Sequence, residues 1–158
     1  MKEWSFKYEI FSSEKELSSE DKMLLAKAKE AKDRAYAPYS KFQVGCSLLL
    51  DNGEVFTGNN QENAAYPSGL CAERVAIFAA KSQNPDAVVK KIFITTSAEN
   101  MKEAISPCGA CRQVLVEYEK NQFSKIEIYF QGAEAQIIKL FSVCDLLPFT
   151  FHSEMLGE

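Results

Sequence analysis

The sequence predicts an α/β fold: a three-layer α/β/α sandwich around a central mixed sheet of about five strands. Three observations predict it. Short runs rich in β-branched and aromatic residues alternate with helical patterns along the chain, the order expected of a sheet covered by helices. Residues 42–50 and 54–57 flank Asp51-Asn52-Gly53, a turn signal that makes the first two strands a hairpin and the sheet mixed. The length of 158 residues suits one domain that buries its core without disulfides.

Residues 1–17 are polar and mixed. They read as an extra strand or a loose arm, an N-terminal extension before a single domain over 18–158. The first helix is expected over 19–35. Ser18 and Asp21 have capping-box spacing, Met23, Leu24, Ala28 and Ala31 form an apolar stripe, and Pro38 lies beyond its end. After the hairpin, 59–70 is a polar loop. A second helix over 72–81 carries Val75, Ile77, Phe78 and Ala79 as a broad surface expected to be buried. Residues 91–96 form a short strand. Ser106 suits the N-cap, and Pro107 the first position, of a third helix running to about residue 119. Residues 126–130 are a strand, and 135–141 fit a further strand or a short helix.

Composition narrows the partners. Lys and Arg number 18 against 22 Asp and Glu, a formal charge of -4. That balance offers no attraction to nucleic acid or to an anionic membrane. No run approaches the ~18 apolar residues of a membrane span. The opening residues carry acid and aromatic groups where a signal peptide has a basic then an apolar stretch, so a cytoplasmic protein is expected. Five cysteines, Cys46, Cys71, Cys108, Cys111 and Cys144, point to metal or reactive thiols rather than a disulfide framework.

The strongest chemical signal is Pro107-Cys108-Gly109-Ala110-Cys111. Two thiols three apart in a first helical turn share one face, and the helix start favours thiolate. Alone, this pair fits a structural zinc or a redox couple better than a catalytic centre. Cys71, at the start of the second helix, is the third candidate ligand. Three cysteines leave one position of tetrahedral zinc open, as catalytic sites do. His152, the single histidine, could close a structural site. Glu73, two residues after Cys71, accounts better for the open position. Zinc lowers the pKa of water from ~15.7 towards ~7, and a nearby carboxylate can take that proton and later deliver it to a leaving amine. An all-thiolate site carries excess negative charge, which Arg74 could offset by hydrogen bonding to the sulfurs. Cys46 and Cys144 read as small apolar residues.

Zinc deaminases of nucleobases carry His-x-Glu…Pro-Cys-x-x-Cys, with Cys allowed for His. Cys71-Ala72-Glu73…Pro107-Cys108-Gly109-Ala110-Cys111 matches the all-cysteine form. Together with Tyr36-Ala37-Pro38-Tyr39-Ser40-Lys41-Phe42-Gln43-Val44-Gly45, Gly58-Asn59-Asn60-Gln61-Glu62-Asn63-Ala64 and Arg112-Gln113, the chain resembles the short, homotetrameric cytidine deaminases from about residue 35 to 151. The resemblance implies one Zn2+ per subunit held by Cys71, Cys108 and Cys111, Glu73 as proton shuttle, and Arg74 beside the sulfurs. It further implies Phe42 stacked on the base, Ala72 small beside it, and Asn60 and Glu62 on the ribose. In a tetramer, Phe151 would close a neighbour's pocket, though Phe149 competes for that role. From the residues alone, Phe42 is as readily a strand core residue, and Asn60 and Glu62 a solvated loop.

The expected reaction is hydrolysis of cytidine or deoxycytidine to the uracil nucleoside and ammonia, in pyrimidine salvage. A carboxylate at the sugar repels phosphate, so the free nucleoside fits better than nucleotide, DNA or RNA. The alternatives are a blasticidin-type aminonucleoside antibiotic deaminase and a non-catalytic, zinc-stabilised nucleoside-binding module.

Overall fold

The computed structural model describes residues 1–98, 101–132 and 136–157. It is a three-layer α/β/α sandwich. Six strands form one sheet: β1 (Tyr8–Phe11), β2 (Val44–Leu50), β3 (Val55–Asn59), β4 (Val89–Thr96), β5 (Glu127–Gln131) and β6 (Ile137–Leu140), in spatial order β1-β6-β5-β4-β2-β3. Only β4 and β5 pair in parallel among the described strands; the other pairings are antiparallel. Helix α1 (Ser19–Lys32) covers one face, and α2 (Ala72–Gln83) and α3 (Gly109–Gln122) cover the other.

Because both faces are covered, β2 reads as a nearly continuous apolar run. Cys46, Leu48 and Leu50 enter the core under α2 and α3, while Leu49 packs under α1. Ser47 also faces α1, where its hydroxyl donates to the Leu24 carbonyl at 2.7 Å, which satisfies a buried polar group. Gly53 takes the hairpin turn at φ 85°. Two other glycines set the helices against the sheet. A Cβ on Gly45 would lie 2.0 Å from the Ala28 carbonyl oxygen of α1, and one on Gly58 would lie 2.4 Å from the Ala72 carbonyl oxygen.

The structure decides two alternatives that the sequence left open, and it departs from the sequence expectations for the three helices. The segment 1–17 supplies β1 as a sixth strand, and Leu17 is buried under α1. Residues 137–140 form a strand; position 135 lies outside the described residues. Helix α1 stops at Lys32, because the Tyr36 amide is drawn to the Asn60 carbonyl at 3.0 Å, and Leu25 rather than Met23 completes its buried stripe. Helix α2 buries Ala72, Glu73, Ala76, Ile77 and Ala80; Phe78 is exposed and Val75 and Ala79 are half-buried. The close approach to Gly58 selects the face lined with alanine. Helix α3 is capped by Cys108, not Ser106: the Cys108 carbonyl accepts the Arg112 amide at 3.0 Å, while the Ser106 hydroxyl accepts from the Arg112 guanidinium.

Candidate metal centre and pocket

The sheet brings the N-termini of α2 and α3 side by side. Cys71 caps α2, Cys108 caps α3, and Cys111 lies in the first turn of α3. The three sulfurs lie within 4.8 Å of one another, with Cys71 Sγ and Cys108 Sγ 3.7 Å apart. Tetrahedral zinc with Zn–S bonds of ~2.3 Å spaces its sulfurs about 3.8 Å apart. The donor set and its spacing therefore fit zinc. His152 is absent from this cluster; it sits 3.6 Å from Glu154.

Charge is distributed unequally over the sulfurs. A hydrogen bond from Cys111, aided by Arg74, pulls Cys71 down to about 5, while the same bond and burial push Cys111 up. Arg74 reaches Cys71 Sγ with its NH2 group at 3.7 Å. The Arg74 Nε is buried without a hydrogen-bond partner among the described residues. Glu73 is 5 % exposed, and burial raises its carboxyl above the ordinary glutamate value, with the Cys71 thiolate adding to the rise. A carboxyl raised in this way holds a proton more readily than an exposed glutamate does, as a proton carrier must.

A cavity of about 450 Å³ opens over the cluster. Its walls include Cys71, Glu73, Cys108, Phe42, Asn60 and Glu62, so the structure gathers most of the residues expected from sequence in one place. Phe42 is partly exposed into it, at 37 %. Asn60 and Glu62 also frame the loop that carries Phe42. Asn60 accepts from the Val44 amide at 2.8 Å and donates to the Phe42 carbonyl at 2.9 Å. Glu62 accepts from the Tyr39 and Ser40 amides at 2.9 and 3.2 Å and from the Ser40 hydroxyl. These donors, the Ser40 hydroxyl first, hold the Glu62 carboxyl below the usual range. Each side chain keeps spare hydrogen-bonding capacity for a ligand.

Two expected residues lie elsewhere. Ala72 is wholly buried against β3 and lines no described cavity. Phe151 is 58 % exposed and outside its own subunit's pocket, its carbonyl held by Gln113 Nε2 at 2.7 Å. Phe149 is more exposed still.

Sequence reasoning passed over two side chains. Ser40 sits between the Phe42 amide, which donates to its hydroxyl at 3.0 Å, and Glu62. Arg112 spreads its guanidinium over Pro107 O at 2.7 Å, Ser106 Oγ at 2.6 Å and Leu146 O at 3.1 Å. The signal for Arg112 was its place one helical turn after Cys108.

The chain is similar to known proteins along most of its length. Residues 18–126 match the model of the cytidine and deoxycytidylate deaminase zinc-binding region. The chain is 38 % identical to the cytidine deaminase of Halalkalibacterium halodurans over 86 % of its own length and 97 % of the relative's. It is 38 % identical to that of Sporosarcina psychrophila, over 85 % and 93 %. The crystal structure of cytidine deaminase from Burkholderia pseudomallei superposes with a TM-score of 0.68 at 35 % identity, covering 85 % of this chain and all of that one. With the family model spanning most of the chain, and relatives this similar matched almost end to end, the chain belongs to the cytidine and deoxycytidylate deaminase zinc-binding family.

Proposed function

We propose that this protein is a zinc-dependent cytidine deaminase that hydrolyses free cytidine or deoxycytidine to the uracil nucleoside and ammonia, in pyrimidine salvage. The observation that carries this reading is the single cavity in which Cys71, Cys108, Glu73, Phe42, Asn60 and Glu62 meet. Cys71, Cys108 and Cys111 hold the metal. When bound, zinc supplies the Lewis acidity that makes water a nucleophile near neutral pH. Arg74 offsets the charge of the thiolates through its contact with Cys71.

Glu73 takes the proton of the water nucleophile and passes it to ring N3 as C4 is attacked. It then takes the proton of the new C4 hydroxyl and gives it to the amine, so that the C4–N bond breaks, ammonia leaves and the C4 carbonyl of the uracil ring forms. Phe42 holds the base flat. The remaining lone pair of Glu62 and the remaining N–H of Asn60 meet sugar hydroxyls, and the small Ala72, behind the cavity wall, lets backbone approach the base. Glu62, kept ionised by its amide and hydroxyl donors, repels a phosphate on the sugar. With a formal charge of -4, this favours a nucleoside over nucleotides and nucleic acid.

The working form is a homotetramer in which Phe151 closes a neighbour's cavity. The exposed Phe78, Phe149 and Phe151 support such association. Residues 18–158 act as one zinc domain, with 1–17 as an extension. Among the described residues no helix is long and apolar enough to cross a membrane. All five cysteines are free, which supports a reducing, cytoplasmic setting.

The test is ultraviolet absorbance with cytidine, deoxycytidine, their monophosphates and blasticidin S. Turnover of the two nucleosides, with the monophosphates far slower, is the expected result. Turnover of blasticidin S alone, or zinc binding without turnover of any of them, would overturn the reading.

A further inference from the structure

Strand β1 is an edge of the sheet: β6 lies on one side, and among the described residues no strand lies on the other. An edge presents unpaired backbone N–H and C=O groups, a template for another strand. From Phe6 to Ile10, across the start of β1, side chains alternate in chemistry. Trp4, Phe6, Tyr8 and Ile10 are apolar and about half exposed, while Lys7 and Glu9 lie between them. Tyr8 and Ile10 stand opposite Leu140 and Ile138 of β6, which pack in or against the core under α2 and α3. The apolar row of that face therefore continues to the open edge. On the opposite row Glu9 meets Lys139 at 3.6 Å, whereas Lys7 has no carboxylate partner among the described residues.

We propose that β1 is a self-association site that receives β1 of a second copy of this chain, paired antiparallel about a twofold axis at Tyr8. The sequence of the edge selects both occupant and register. Directly opposed residues in an antiparallel pair lie on the same side of the sheet, so even-numbered residues must oppose even-numbered ones to keep apolar with apolar. Centring on Lys7 opposes two lysines, and centring on Glu9 opposes two glutamates, both unfavourable. Centring on Tyr8 opposes Lys7 with Glu9 of the second copy, twice by symmetry.

That register builds three ladders. Lys139, Glu9 and Lys7 of the second copy alternate in charge. Ile138, Ile10 and Phe6 of the second copy form an apolar row. Leu140 and Tyr8 meet Tyr8 and Leu140 across the axis. Residues 6 and 7, which precede β1, join the strand on pairing. A strand this self-complementary fits its own copy better than an unrelated peptide.

Light scattering on the full-length, zinc-loaded protein tests the site. Lys7→Glu opposes two pairs of glutamates and is expected to lower the mass of the assembly. Lys7→Glu/Glu9→Lys restores opposite charges and is expected to restore the mass. Equal masses for wild type and Lys7→Glu would overturn the proposal, as would a double variant that stays small. Tyr8→Cys tests the register independently of mass. The two Cα atoms would lie about 4.5–5.5 Å apart, within disulfide reach. Mild oxidation is expected to yield a covalent dimer whose linked peptide contains position 8. Absence of that peptide would overturn the register.

Discussion

Arg112 and Glu119 lie two turns apart on one face of α3, and both hold the same C-terminal turn. Arg112 donates to the Leu146 carbonyl at 3.1 Å, and Glu119 accepts from the Val143 amide at 3.0 Å and from the Ser142 hydroxyl. The same guanidinium fixes Ser106 and Pro107, immediately before Cys108. The position of Cys108 therefore depends on a segment more than thirty residues away in sequence. Arg112→Met is expected to release zinc roughly 10–100-fold faster to a chromogenic chelator, the usual effect of losing a group that orients a ligand. Loss of bonds from a charged donor should also cost about 2–3 kcal/mol in denaturant unfolding. Arg112→Lys keeps the charge but not the fork, so it should fall between the two.

Glu73→Gln should leave zinc content unchanged and lower kcat by about 10²–10⁴-fold, the range for removing general acid–base catalysis. Retained turnover would remove Glu73 from the proton pathway. Stability gives a second readout on zinc-free protein. Burial first, and the Cys71 thiolate next, raise the folded carboxyl above its unfolded value. The folded state then binds more protons, so wild-type stability falls as pH rises from the unfolded glutamate value through the folded one. Glutamine carries no such penalty. The stability of Glu73→Gln relative to wild type should therefore grow across that window, followed by urea unfolding at several pH values.

How far the site was legible in the sequence follows from how local each feature is. Cys71, Glu73, Cys108 and Cys111 sit at helix starts, where a few residues of spacing determine geometry, and these were readable. So was the Ser18 cap, whose hydroxyl accepts the Asp21 amide at 3.1 Å. The buried face of α2 was not, because the choice of Ala76 and Ala80 over Phe78 is made by Gly58 on another element. Likewise Ser106 has the composition of an N-cap, but Arg112 claims its hydroxyl and the helix begins two residues later. The role of residues 8–11 depended on β6, at the far end of the chain.

Ser40→Ala should separate binding from chemistry. Its hydroxyl joins the Phe42 amide to Glu62, both in the wall of the cavity, and touches neither the cysteines nor Glu73. Both of these hydrogen bonds are lost, so KM for cytidine should rise roughly 5-fold or more with kcat little changed. The Ser40 hydroxyl is also the first cause of the low Glu62 value. Its removal should shift the acid limb of KM to higher pH. An unchanged KM at every pH would dissociate Ser40 from substrate binding.

Zinc removal should expose the unequal charges of Cys71 and Cys111. In the metal-free protein Cys71 is held at about 5, chiefly by the hydrogen bond from Cys111, and the same bond with burial pushes Cys111 up. The thiolate is the nucleophile, so at pH 6 iodoacetamide should modify Cys71 well ahead of Cys111, which is also buried. Zinc-loaded protein should be protected at Cys71, Cys108 and Cys111 alike, because metal ligation occupies the same lone pairs. Peptide mapping by mass spectrometry reads both states. Equal labelling of Cys71 and Cys111 without zinc would contradict the charge asymmetry, and labelling of any of the three that zinc does not suppress would exclude that cysteine as a ligand.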